Sequence, residues 1–301
     1  MKILCIGQSA YDITLPMEKF PVENEKERVK NKVECGGGSA SNCAYLLAKW
    51  GLDTYFAGII GNDHYGKKIL EEYKNANVNT KYLEISNTIP TTSSYIIANT
   101  STGTRTILTS RKDGIEMSLK DIEDNFDMIL LDGYEKEFAK QAIEKNPNAI
   151  KVLDAGSLKE ATVELSYMVD YLVCSHDFAE DFSKTKIDYD NFESVVEAYN
   201  VLKKEFKNNI IITLESYGCF TCINGIYKII PSIETKALDT TGAGDIFHGA
   251  FVYSLANNFP LEKALLFSNI TGGLSVEKIG SRYSIPEISE VEKKYNDIIS
   301  K

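Results

Sequence analysis

Apolar residues fall into two kinds of run along this chain. Six short runs are apolar almost without a break: "KILCIG" (2–7), "TYFAGIIG" (54–61), "DMILLD" (127–132), "IKVLDAG" (150–156), "DYLVCS" (170–175) and "NNIIITL" (208–214). Strands buried on both faces have this pattern, whereas half-exposed strands alternate. Between them, apolar positions recur at helical spacing in "SASNCAYLLAKWG" (39–51), "YGKKILEEYKNA" (65–76), "EKEFAKQAIEK" (135–145) and "FESVVEAYNVLKKEF" (192–206). These stretches predict helices, the first capped by Gly51. Alternation of strand and helix predicts an α/β fold: a central, mostly parallel sheet with helices on both faces.

Two stretches break the rhythm. Residues 13–35 and 92–109 are polar and alternating, the second around a turn at Thr102-Gly103. Both read as antiparallel, half-exposed strands that form a small β-sheet lid across one edge of the core. With no repeat and no linker, residues 1–301 form one domain. Lys26, Arg28, Lys30 and Lys32 occupy every second position, and so share a face if the segment is a strand. Such a face either protects an exposed strand from stray pairing or offers a basic surface to an anionic ligand.

The stretch "ALDTTGAGDIFHGAF" (237–251) puts a turn of small residues before an apolar helical pattern. A helix start without bulky side chains leaves backbone N–H groups and the positive end of the helix dipole open to an anion. Asp245 places a carboxylate at the same spot. Two readings are open: a cap on a plain turn, or a base beside a transferred anion. In "CGGGSASN" (35–42) the glycines permit close backbone approach, and Asn42 offers an amide to a hydroxyl. Asp12 follows the first strand, at the edge where parallel sheets bind ligands, and suits a diol. The bland readings are a hinge and a cap.

Composition narrows the choice. The net charge of −10, from 33 basic and 43 acidic residues, is a poor basis for binding nucleic acid. No stretch approaches the ~20 apolar residues of a membrane span, and the N-terminal run lacks the marks of a signal peptide. The expected location is cytoplasmic. The six cysteines read as reduced core residues, and "CFTC" (219–222) lacks the second pair of ligands that a zinc site needs. The sequence contains no GxxxxGK[ST] loop, no GxGxxG after the first strand and no GxSxG elbow. An anion would therefore have to be handled around residues 242–245.

"GGSASN" (37–42), "GIIGNDHYG" (58–66) and "DTTGAGDIFHGAF" (239–251) resemble the ribokinase, or PfkB, family of carbohydrate kinases, in order and over essentially the whole chain. The resemblance implies ATP-dependent phosphorylation of a sugar hydroxyl. It implies Asp245 as the base and the N–H groups of Gly242, Ala243 and Gly244 as the anion hole. Asp12, Gly37, Gly38 and Asn42 match sugar-contacting positions. Asp239, Thr241, Gly280 and Ser284 match a monovalent-cation site for K⁺. Thr213, Glu215, Gly218 and Asn269 match the nucleotide side. ATP and Mg²⁺ are implied, the lid corresponds to the family's substrate lid, and a homodimer through the lid is an expected assembly.

The chain departs from the family pattern at Ser175-His176-Asp177-Phe178, where Asn-x-x-Glu is usual, and at Thr213–Gly218, where T-x-G-x-x-G is usual. Both departures, with "LLDGYEKE" (130–137) and "VLDAGSLKE" (152–160), are similar to the ketohexokinase-like branch. They imply a ketose such as fructose ahead of ribose, and leave the Mg²⁺-organising residue unassigned. A free ketose or pentose is the leading substrate. A nucleoside kinase and a non-catalytic sugar-binding relative are the alternatives, and a phosphosugar kinase would use the basic stripe at 26–32.

Overall fold

The six apolar runs become strands of a single sheet. The computed structural model describes residues 1–300. Its strands, in chain order, are β1 (Lys2–Ile6), β2 (Ala10–Met17), β3 (Val33–Gly37), β4 (Asp53–Gly61), β5 (Asn79–Ser86), β6 (Thr92–Asn99), β7 (Arg105–Ser110), β8 (Met128–Leu131), β9 (Ile150–Ala155), β10 (Tyr171–Ser175), β11 (Asn209–Thr213), β12 (Cys219–Ile223) and β13 (Ile226–Ile230). The α-helices are α1 (Ser39–Lys49), α2 (His64–Asn75), α3 (Lys136–Lys145), α4 (Glu160–Ser166), α5 (His176–Ser183), α6 (Phe192–Glu205), α7 (Ala243–Ala256), α8 (Leu261–Ser275) and α9 (Ile288–Ile299).

The large sheet has nine strands in the order β13-β12-β11-β10-β9-β8-β1-β4-β5. Its pairs are parallel except β11 with β12 and β12 with β13. Strand alternation splits β1 between two cores. Ile3 and Cys5 pack with α1, α2, α7 and α8, while Leu4 and Ile6 pack with α3, α5 and α6. Both faces are covered, which explains why the runs are continuously apolar. The same alternation puts Cys219 in the first core and Cys222 against the second, so the "CFTC" thiols face opposite sides of the sheet.

The lid is a four-stranded sheet, β3-β2-β6-β7. It differs from the expected all-antiparallel flap in its central pair, because β2 and β6 run parallel. The chain leaves β2 and reaches β6 only after a crossover through β4, α2 and β5, which returns it in the same direction. The lid strand also begins at Ala10, so Asp12 lies inside β2. Residues 18–32 form no strand, and the four basic residues therefore share no face. Asn24, at φ 66, turns the chain just before them, and Lys32 pairs with Glu34. The other local readings hold: Gly51 has φ 86 just past α1, and Gly103 has φ 74 in the turn between β6 and β7.

Candidate active site

Gly242 caps α7 in the left-handed region, φ 77, and a Cβ there would sit 2.9 Å from Ser281 Cβ. This turn aims the start of the helix at open space, since a Cβ on Gly244 would meet nothing within 4 Å. Ala243 donates to the Thr240 carbonyl at 3.3 Å. The N–H groups of Gly242, Gly244 and Asp245 find no acceptor among the described residues. Unpaired donors at the positive end of a helix form an anion site.

Asp245 lies in the first turn of α7, half-buried by area but ringed by protein. Burial pushes its carboxyl above the ordinary carboxylate value, opposed by its bond from Asn42. Asn42 Nδ2 donates to Asp245 Oδ2 at 2.7 Å, which fixes the orientation of the amide. Asn42 Oδ1 is then buried with no partner and aims an acceptor at whatever hydroxyl arrives. The Cys43 thiol donates to the Asp245 carbonyl at 3.1 Å, so α1 holds both ends of the residue.

Asp12 is 5% exposed. Burial raises its carboxyl to about 6; Ser281 and Ser94 bonds and the Arg282 charge oppose the rise, while the Asp245 charge adds to it. Ser281 Oγ donates to Asp12 Oδ2 at 3.0 Å. A Cβ at Gly37 would lie 2.0 Å from the same oxygen. Gly38, at φ 94, passes so close to the Gln8 carbonyl that a Cβ would stand 2.4 Å from it. The glycine run is thus a close-packed floor beneath Asp12 and not a hinge.

Asp239 is 2% exposed and joins two loops: Oδ1 accepts from Thr241 N at 2.9 Å, and Oδ2 from Gly280 N at 3.0 Å. Ser284 closes the second loop through its N–H to the Gly280 carbonyl at 2.9 Å. Thr241 Oγ1 is buried without a partner. A carboxylate, an orphaned hydroxyl and loop carbonyls form an oxygen donor set that fits a monovalent cation. Next door, Arg282 is 3% exposed. It donates to Glu72 Oε2 at 2.6 Å and to Ser41 Oγ, and lies over the rings of Tyr45 and Tyr73 at 5.0 and 4.9 Å. The lid meets this region too, because Arg105 Nη1 donates to Thr240 Oγ1 at 3.1 Å.

The nucleotide-side residues are less closely gathered. Thr213 Oγ1 donates to the Cys174 carbonyl at 3.3 Å, and Glu215 starts a single 3₁₀ turn at φ 50. Gly218 has φ 101, and a Cβ would lie 2.1 Å from the Ile230 carbonyl. Tyr217 stacks on Tyr189 at 4.5 Å. Asn269 is placed in the core, where Nδ2 donates to the Ile230 carbonyl at 2.7 Å and fastens α8 to the end of β13. Its amide donor is therefore engaged within the protein. At the departure, Ser175 caps α5 by accepting from Phe178 N at 3.0 Å, and Phe178 is 0% exposed. Asp177 faces His176 at 3.2 Å, while Glu180 is held by Lys186 at 2.7 Å and Ile187 N at 2.8 Å. Among the described residues no cluster of three or more His, Cys, Asp or Glu could hold a metal ion.

The structure also gathers residues that motif reading passed over. Asp132 and Asp154 stand at the C-terminal ends of β8 and β9, within Coulomb reach of Asp245, and His248 lies one turn further along α7. Their signal was present in "LLDG" and "VLDAG": an acid ending a buried parallel strand lies on the ligand-binding edge.

A doubly covered parallel sheet thus sets a carboxylate at an open helix N-terminus, beside a smaller β sheet. The model of the pfkB family of carbohydrate kinases matches residues 1–288. The chain belongs to that family, and it is an ATP-dependent carbohydrate kinase. It is 26% identical over 308 residues to a ribokinase from Lactococcus lactis, covering 99% of this chain and 98% of that protein. A deoxyribokinase from Salmonella typhi is 26% identical over 313 residues, covering 100% and 99%. The solved ribokinase of Arabidopsis thaliana, complexed with ribose and ATP, superposes with a TM-score of 0.77 at 23% identity, covering 98% of each chain. The ketohexokinase-like branch finds no support, since such relatives carry ribokinase names. At the first departure the reason is local: Ser175 caps a helix and Phe178 fills the core. Among the described residues no helix is long and apolar enough to cross a membrane.

Proposed function

We infer that the protein transfers the γ-phosphoryl group of ATP to a hydroxyl of a free pentose. The observation that carries this reading is the Asp245 carboxylate, held by Asn42 beside three unpaired N–H groups and close enough to Asp12 to raise its carboxyl. Asp12 and Asn42 Oδ1 receive the sugar hydroxyls, and Asp245 takes the proton of the one that attacks. The N–H groups of α7 stabilise charge on the transferring group, and the lid excludes water. Mg²⁺, carried by the nucleotide, spreads the charge of the triphosphate. A monovalent cation such as K⁺ fits between the Asp239–Thr241 loop and the Gly280–Ser284 loop, behind the anion hole. The pentose is favoured by relatives named ribokinase and deoxyribokinase.

The partner of the lid is a second copy of the chain. In support, β7 is exposed along its length, and the register partners Tyr95 and Leu108 are 44% and 59% exposed on one face. We place the enzyme in the cytoplasm, a reading supported by six free cysteines. ADP release measured across ribose, deoxyribose, fructose, fructose 6-phosphate and nucleosides tests the substrate. Turnover confined to fructose, to the nucleosides or to the phosphosugar would overturn it.

A further inference from the structure

Ser281 stands between the two halves of the acceptor site. Its Oγ donates to Asp12 Oδ2 at 3.0 Å, and its Cβ lies where a Cβ on Gly242 would be only 2.9 Å away. One small side chain thus touches both the Asp12 carboxylate on β2 and the turn that leads into Asp245 on α7. The Gly36 carbonyl is a second acceptor at 3.2 Å, and the Cys35 thiol lies 3.6 Å from the same oxygen. A hydroxyl has one proton, and the nearer, charged oxygen is its stronger acceptor. That proton is spent within the protein, whereas Asn42 Oδ1 has no partner.

The backbone that carries Ser281 is fixed from several sides. Asp239 takes the Gly280 N–H, and Ser284 Oγ donates to the Ser281 carbonyl at 2.9 Å. Arg282 passes beneath Gly36, where a Cβ would stand 2.1 Å from its Nη1. Its partner Glu72 accepts from Gly36 N with both oxygens, each at 3.0 Å. The N–H and the carbonyl of Gly36 are therefore both tied to the Ser281-Arg282 dipeptide, one through Glu72 and one directly. Gly36 precedes Gly37, the floor beneath Asp12. A carboxylate turns easily about its last torsion unless something holds it. Here Ser281 holds Asp12 from one side, and Ser94, its register partner on β6, adds a second bond.

We propose that Ser281 is a positioning residue for phosphoryl transfer: it is the spacer that fixes the Asp12 carboxylate relative to the Asp245 turn, and so sets the sugar against the base. The proposal rests on the reading above, in which Asp12 receives sugar hydroxyls and Asp245 takes the proton. Ser281 acts on the sugar through Asp12. Its hydroxyl sets how the acceptor is held, and its Cβ sets how far the base stands from it. Reaction rates are sensitive to such placement at the scale of a fraction of an ångström.

The two atoms can be removed one at a time. Ser281→Ala keeps the Cβ against Gly242 and loses only the hydroxyl. With whichever of the acceptors above the wild type phosphorylates, we expect kcat/KM for the sugar to fall about tenfold, chiefly through KM. KM for ATP and the unfolding temperature should be nearly unchanged, whereas a merely structural role would move both. In an Asp12→Ala background the same substitution should change kcat/KM, read as the slope at low sugar, less than about twofold. A repeated tenfold loss in that background, or an unchanged kcat/KM in folded Ser281→Ala protein, would overturn the action through Asp12. Ser281→Gly also removes the Cβ and should lower kcat below that of Ser281→Ala. Equal kcat in the two variants would overturn the spacing of the base. A wild type that phosphorylates none of the acceptors would instead sink the acceptor reading itself, and this role with it.

Discussion

The two sides of the cleft are built on different rules. On the acceptor side, Asp12, Asn42 and Asp245 are enclosed and hydrogen-bonded to elements far away in sequence. On the side that the family resemblance gives to the nucleotide, Glu215 and Tyr217 sit exposed on a single 3₁₀ turn at the antiparallel edge of the sheet. A proton transfer requires atoms placed to a fraction of an ångström, and that placement comes from side chains that have nowhere else to go.

Breaking the acceptor side should therefore cost far more than trimming the nucleotide side. Asp245→Asn preserves shape and removes the base. We expect kcat to fall ~10²–10⁴-fold with little change in KM for ATP. A near-normal kcat, measured by ADP release, would remove the proton-transfer role. Gly37→Ala forces a Cβ into the Asp12 carboxylate, 2.0 Å away. We expect KM for the sugar to rise about tenfold while KM for ATP holds, since roughly 1.4 kcal/mol of positioning is lost. An equal rise in both constants would show that the two sides are not separable.

Acid should act on the acceptor side first. Burial raises the carboxyls of both Asp12, to about 6, and Asp245, so each is ionised above its raised value and protonated below it. In kcat/KM for the sugar, activity should be full above about pH 7 and lost as pH falls through 6. A flat profile down to pH 5 would contradict the enclosure of these groups. The smallest effect is expected at the departure from the family pattern. Asp177→Ala, Glu180→Ala and Asp181→Ala should each leave the Mg²⁺ concentration for half-maximal rate nearly unchanged. A large rise in any one of them would identify a metal-organising acid.

How much of this the sequence disclosed depended on the range of the interaction. The buried strands, the cap at Gly51 and the small-residue turn that opens α7 are written in runs of fewer than fifteen residues, and they were legible. The parallel β2–β6 pairing was not, because direction is set by a crossover whose path no local pattern records. The basic stripe at 26–32 was over-read, since periodicity without a ladder partner does not make a strand. Asn269 was matched to the nucleotide side by resemblance alone, and no local pattern foretold that its amide donates to two backbone carbonyls. The strand-end acids Asp132 and Asp154 were legible singly, but their gathering near His248 was not, because three elements contribute one residue each.

The contact between Ser281 and Asp12 joins positions 269 residues apart, and Arg282 meets Glu72 across 210. A ribosome making this chain releases the lid strand and α1 long before residues 281 and 282 leave the exit tunnel. Until then Asp12 lacks its hydroxyl partner, Glu72 lacks its guanidinium, and the floor of the sugar site has no clasp. These closing contacts therefore have a high contact order: they form only after segments more than 200 residues apart have met, so the early strands and helices can fold before the clasp does.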